Sequence, residues 1–128
     1  MRTRSFLSSR TRRACVERVT LWGWIDFEGR DAAAIVRGGA QFILPTYEER
    51  GCIHYVWNAD PLKPDRIWVF EEWDSVDALA EHLEGPLYRS MAGYLAEAGM
   101  TGAEVDKYRV IQKQPVYDGS GVPQAAFD

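Results

Sequence analysis

The 128-residue sequence contains only two cysteines and two histidines. Cys15 and Cys52 are too few for a disulfide scaffold and stand at no metal-site spacing. With so little cysteine, a reducing cytoplasm is the expected compartment. No apolar run approaches the roughly 20 residues that a spanning helix needs, which argues against a membrane protein. Neither Gly-x-Gly-x-x-Gly nor His-Glu-x-x-His occurs, so the common dinucleotide and zinc-hydrolase motifs are missing. Internal repeats and low-complexity segments are missing as well.

Positive charge is scarce outside the first 18 residues. That stretch holds Arg2, Arg4, Arg10, Arg12, Arg13 and Arg18 against Glu17, a balance of +5. The total is −4, so the remainder carries −9. An acidic body argues against nucleic acid as a partner, because phosphate binding needs a basic face on the folded domain. Arg12 and Arg13 are not followed by the apolar stretch of an export signal, so residues 1–15 are expected to be a disordered basic leader.

What the chain has is aromatic bulk: five Trp, six Tyr and five Phe in a composition that is 46% hydrophobic. One domain of this length can bury a sizeable core without staples. From Val16 the residues alternate, with Val19, Leu21, Ile25 and Phe27 on one side and Thr20, Trp22, Trp24 and Asp26 on the other. That predicts a strand covered on both faces. Asp31 is a candidate N-cap for a helix beginning Ala32-Ala33-Ala34, with Ile35, Gly39, Phe42 and Ile43 as its buried stripe. Pro45 should kink or end it. Cys52 to Trp57 predicts a second strand, and Arg66 to Trp73 a third, joined as an antiparallel hairpin across a loop with two prolines. A second helix follows Asp74-Ser75, its stripe Val76, Leu79, Ala80 and Leu83. Gly85-Pro86 splits it from a further piece with Leu87, Met91, Tyr94, Leu95 and Ala98. Val105 to Gln112 predicts the last strand, and residues 116–128 a C-terminal arm.

The order β-α-β-β-α-β is the ferredoxin-like arrangement, an α+β fold with a four-stranded antiparallel sheet and its helices on one face. Helices on one face leave the aromatic second face of the first strand bare, a patch that soluble proteins avoid exposing. Packing two sheets face to face about a two-fold axis removes it, so a homodimer is expected.

Residues 51–88 carry a further signal. Gly51-Cys52-Ile53-His54-Tyr55 and Asp60-Pro61 precede Phe70-Glu71-Glu72-Trp73-Asp74-Ser75, Ala78-Leu79, His82-Leu83 and Pro86-Leu87-Tyr88. This ordered set resembles the antibiotic biosynthesis monooxygenase family, small dimeric α+β barrel proteins that include quinol and anthrone monooxygenases. The resemblance covers residues 16–115. It implies oxygenation of an electron-rich phenol, quinol or anthrone by dioxygen, without metal, flavin or other cofactor. The protein's share is then to hold a flat aromatic in a dry slot, remove a proton and stabilise the resulting anion. Trp22 and Ala92 stand where haem-degrading relatives on this fold use Asn and His, and Val69 stands where anthrone-oxidising relatives carry Asn.

Candidate site residues follow from facing. Ile67, Val69, Glu71 and Trp73 share one side of the third strand, and Trp73 matches the family's pocket-lining Trp. Glu71 would be a carboxylate in an apolar cavity, either a poised base or a charge that braces the fold. His82 is a candidate general base, with a helix-edge structural role as the alternative. Tyr55 matches the family tyrosine, and by alternation only one of His54 and Tyr55 faces the pocket. Trp22 and Trp24 could wall a slot for a planar ligand or serve core and interface packing. Tyr88 and Met91 stand where the split helix could cap the cavity. Two other functions use the same pocket: an aromatic-ligand-binding or stress-response dimer without turnover, and an oxygen-independent isomerase.

Overall fold

The first strand, β1 (Arg18–Asp26), runs through the middle of a four-stranded antiparallel sheet in the order β2-β3-β1-β4. The structure is a computed structural model that describes residues 17–128; the basic leader lies outside the described residues. β2 spans Cys52–Ala59, β3 Arg66–Trp73 and β4 Gly102–Val110. Helices α1 (Ala32–Gly38) and α2 (Ala40–Thr46) connect β1 to β2, and α3 (Val76–Glu84) and α4 (Pro86–Glu97) connect β3 to β4. This is the α+β, ferredoxin-like architecture expected from the element order.

Local chemistry explains the boundaries. The Asp31 carboxylate accepts from the Ala34 N–H at 3.1 Å, capping α1, and the Ser75 hydroxyl does the same for α3 through Ala78. Pro86 occupies the first turn of α4, where its missing N–H costs no helical bond. Gly51 turns the chain into β2 at φ +80°, and a side chain there would collide with Ala78 and Asp74.

Two expectations about the helices are corrected. The segment after Asp31 is two helices broken at Gly39 rather than one, while Pro45 lies in the last turn of α2, which ends at Thr46, before Arg50 as expected. The cause is close packing. The Tyr94 hydroxyl fills the space a side chain at Gly38 would need and donates to the Ile35 carbonyl at 2.7 Å. In α3 the buried residues are Ala78, Leu79 and His82, whereas Val76 and Leu83 are exposed. The stripe is thus rotated by about one residue, toward Ala78 and His82, and Leu83 turns away from the core. β4 also starts three residues earlier than Val105, at Gly102.

The core lies between helices and sheet: Val19, Ile25, Tyr55, Ile67, Val69 and Trp73 from the strands, with Phe27 just past β1, meet Ile43, Ala78, Leu79, Met91 and Leu95. The other sheet face carries no helix. On it Trp22, 50% exposed, stacks on Trp68 with centroids 5.9 Å apart. Arg66 lies 4.2 Å over the Trp24 ring and grips Asp26 through two bonds of 2.7 and 2.8 Å. Phe70 and Tyr108 are also exposed. Past β4 the chain is exposed and extended, apart from a Tyr117–Pro123 bridge around the Asp118 turn.

β4 lies close against β1 at Gly23, where a side-chain carbon would overlap the Glu104 carbonyl oxygen. Gly23→Ala is therefore expected to pry β4 from the sheet and cost about 1–3 kcal/mol. Urea denaturation checks this; an unchanged midpoint would contradict it.

Candidate functional site

Strand alternation places Ile67, Val69, Glu71 and Trp73 on the helix-covered side of β3. Glu71 stands mid-sheet, paired across the ladder with Tyr55 of β2 and Leu21 of β1. Above this row α4 does not lie flush. A cavity of about 310 Å³ remains, floored by Leu21, Ile25, Tyr55, Trp57, Val69 and Glu71. Its roof and rim are Leu83, Tyr88, Met91, Ala92, Leu95, Met100 and Val105. Glu71 is the one charged side chain in that wall, and it is only 7% exposed.

The environment of that carboxyl is unequal. Burial pushes it above the ordinary carboxylate range. The Trp73 indole N–H donates to Oε1 at 3.0 Å and, with the influence of His82, opposes the rise, while Glu49 adds to it. A carboxyl in this state holds a proton more readily than an exposed one, which suits it to proton exchange with a bound group. The Tyr55 phenol is driven far up by burial and then by Glu71, so it stays protonated. The Cys52 thiol is pushed up to about 11, again chiefly by burial, which disfavours a thiolate nucleophile.

His82 is 2% exposed rather than at a helix edge. Its ring stacks on Trp73 at 4.6 Å between centroids and meets the edges of Tyr55 and Tyr88 at 5.5 and 5.6 Å. Nδ1 is 2.6 Å from Glu49 Oε1. Nε2 is buried without a partner, as is the indole nitrogen of Trp57 on the cavity floor.

Of the expected site residues, the structure brings Glu71, Tyr55, Tyr88 and Met91 to one cavity. Trp73 and His82 form the layer immediately behind it; Trp73 is fully buried and props Glu71 instead of lining the wall. Trp22 and Trp24 do not take part. Their positions on β1 alternate with Leu21 and Ile25, which places them on the open sheet face. Tyr55 faces the cavity while His54 is exposed beside Phe70. Sequence reasoning missed Trp57, which shares the parity of Tyr55 and was open to that argument. It also missed Glu49, which sits in a charged turn with no distinguishing pattern. Among the described residues no three His, Cys, Asp or Glu side chains group to hold a metal ion.

A family model described as antibiotic biosynthesis monooxygenase matches residues 31–94, half of the chain and the part that supplies Tyr55, Glu71, Trp73, His82, Tyr88 and Met91. No curated protein matches. Solved structures that resemble this one include a candidate antibiotic biosynthesis monooxygenase of Deinococcus radiodurans, 21% identical at a TM-score of 0.69 over 77% of this chain and 97% of that one. Another, of the same description, comes from Nitrosomonas europaea, with 13% identity and a TM-score of 0.66 over 75% and 92%. A Mycobacterium tuberculosis protein is 20% identical at 0.65 over 77% and 99%. At such identities the likeness establishes the fold alone.

Because the folded state raises the proton affinity of Glu71, it binds a proton more tightly than the unfolded chain does. The group's stabilising contribution is full below the unfolded value of 4.5 and is lost as pH climbs through the folded value. Glu71→Gln is therefore expected to raise Tm at pH 8 and leave it nearly unchanged at pH 4. Thermal melts at the two pH values check this; equal shifts, or destabilisation at pH 8, would contradict it.

Proposed function

The chain belongs to the antibiotic biosynthesis monooxygenase family, and from that premise we propose that it oxidises a small, electron-rich aromatic (a quinol, phenol or anthrone) with dioxygen and no cofactor. The observation that carries this reading is the desolvated Glu71 carboxyl, the single charge in an otherwise apolar chamber. The volume, about 310 Å³, is at the small end of ligand sites and suits a flat molecule of one to three rings.

For a phenol with a free para position the chemistry closes as follows. Glu71 takes the phenolic proton, and the desolvated phenolate transfers an electron to dioxygen. The radical pair collapses to a C–O bond at the para carbon. Glu71 returns its proton to the distal peroxide oxygen, then takes the ring proton from that carbon as the O–O bond breaks. The departing hydroxide receives this proton and leaves as water, and the ring is left as a quinone. One oxygen atom enters the product, one enters water, and Glu71 ends as it began. The unpartnered Trp57 N–H supplies a donor for an oxygen of the ring.

The open sheet face is the proposed seam of a homodimer. Trp22, Trp68, Phe70 and Tyr108 make it too apolar to remain in water, and a two-fold axis would bury it against its own copy.

Oxygen uptake with 1,4-naphthohydroquinone, substituted phenols and anthrone tests the activity. Protein-dependent uptake on at least one substrate is expected, reduced about 10²-fold or more in Glu71→Gln. No uptake above autoxidation on any of them, or a full rate in that variant, would contradict the reading. Sedimentation tests the seam: the wild type is expected to run as a dimer and Trp22→Asp as a folded monomer, whereas a monomeric wild type would refute the dimer.

A further inference from the structure

Behind the chamber lies a buried imidazole whose two nitrogens have opposite surroundings. Nδ1 of His82 lies 2.6 Å from Glu49 Oε1. Nε2 is sealed from solvent and meets no protein partner. The Glu49 side chain is 23% exposed and opens with His82 onto a second, outer crevice of about 190 Å³, bounded by Arg50, Glu81 and Pro86. The imidazole ring therefore stands between that crevice and the chamber walls Tyr55 and Tyr88. Trp73 joins it to the chamber's carboxyl, since its ring stacks on His82 while its N–H donates to Glu71.

We propose that Glu49 is a positioning residue: it holds His82 as the Nδ1–H tautomer and, through the stack of that ring on Trp73, fixes the indole N–H that aims Glu71 for its work as base. This rests on the reading of Glu71 as that base. A carboxylate at Nδ1 accepts its N–H, which fixes ring orientation and tautomer together. The charged and titratable groups around the ring are Glu49 from the turn before β2, Tyr55 from β2, Glu71 from β3 and Tyr88 from α4. The Arg50–Glu81 pair lies at the crevice rim. Glu49 has no role in the chamber wall itself.

Long-range 15N NMR of the imidazole rings tests this without any substrate, and with only His54 and His82 in the sequence the two are readily assigned. At pH 8 the wild-type His82 is expected to carry its proton on Nδ1 with Nε2 bare. In Glu49→Ala the proton is expected to move to Nε2, the form imidazole favours in water. Protonation on Nε2 alone, or on both nitrogens, in the wild type overturns the proposal, as does an unchanged tautomer in Glu49→Ala. If Glu49→Ala does not fold, the wild-type spectrum decides. On any hydroquinone that the wild type oxidises, Glu49→Ala is expected to lower kcat about 10²-fold with KM held; an unchanged kcat overturns the role. The expected tautomer in a protein that oxidises nothing would instead sink the catalytic reading of the chamber.

Discussion

The structure is organised around a carboxylate placed where a carboxylate is expensive. The two-residue period of β3 aligns Glu71 with Ile67, Val69 and Trp73 and leaves it little contact with solvent. Burying an ionised carboxyl without compensation is costly, and the fold compensates only in part. One indole N–H at 3.0 Å and a nearby imidazole favour the charged form, yet desolvation remains the largest influence. A fold selected for stability alone would place an aliphatic residue there, as it does at Val69 two positions earlier. Retaining the acid is a stability concession of the kind found where a chemical step requires it.

The neighbours of Glu71 fall into two shells with different work. Tyr55, Trp57, Tyr88 and Met91 face the empty volume and set what fits. Trp73 and His82 are packed solid behind them, and their stacking keeps the indole aimed at the carboxyl. Rotamers fixed by packing hold a donor in place more reliably than a loop would. The opposite sheet face has another character altogether. There the aromatic groups are engaged by charge and by one another, with Arg66 over Trp24 and Trp22 on Trp68.

Most of the fold was legible in the sequence because its signals are local. Asp31, Ser75, Gly51 and Pro86 each mark a boundary through a single cap or turn, and β3 shows its inward face in one run of eight residues. The facing of Glu71, and the choice of Tyr55 over His54, followed from parity alone. What stayed hidden depends on tertiary contacts. The break at Gly39 answers to Tyr94, some 55 residues away in sequence. The rotation of α3 that buries His82 and exposes Leu83 sets the imidazole against Trp73, Tyr55 and Glu49, which other elements supply. Trp22 and Trp24 read as a possible ligand slot because alternation says which side chains share a face but not which face the helices cover. Glu49 lay in a charged turn, and only the fold brings its carboxylate to His82.

The central claim is that Glu71 is a carboxyl whose proton affinity is raised by an apolar chamber, and its own titration tests that most directly. In protein labelled with 13C at the glutamate carboxyls, the Glu71 signal is expected to titrate with a midpoint clearly above the ordinary value of 4.5. A midpoint at or below that value would mean that water or a counter-charge reaches the group, and the chamber would no longer account for its chemistry.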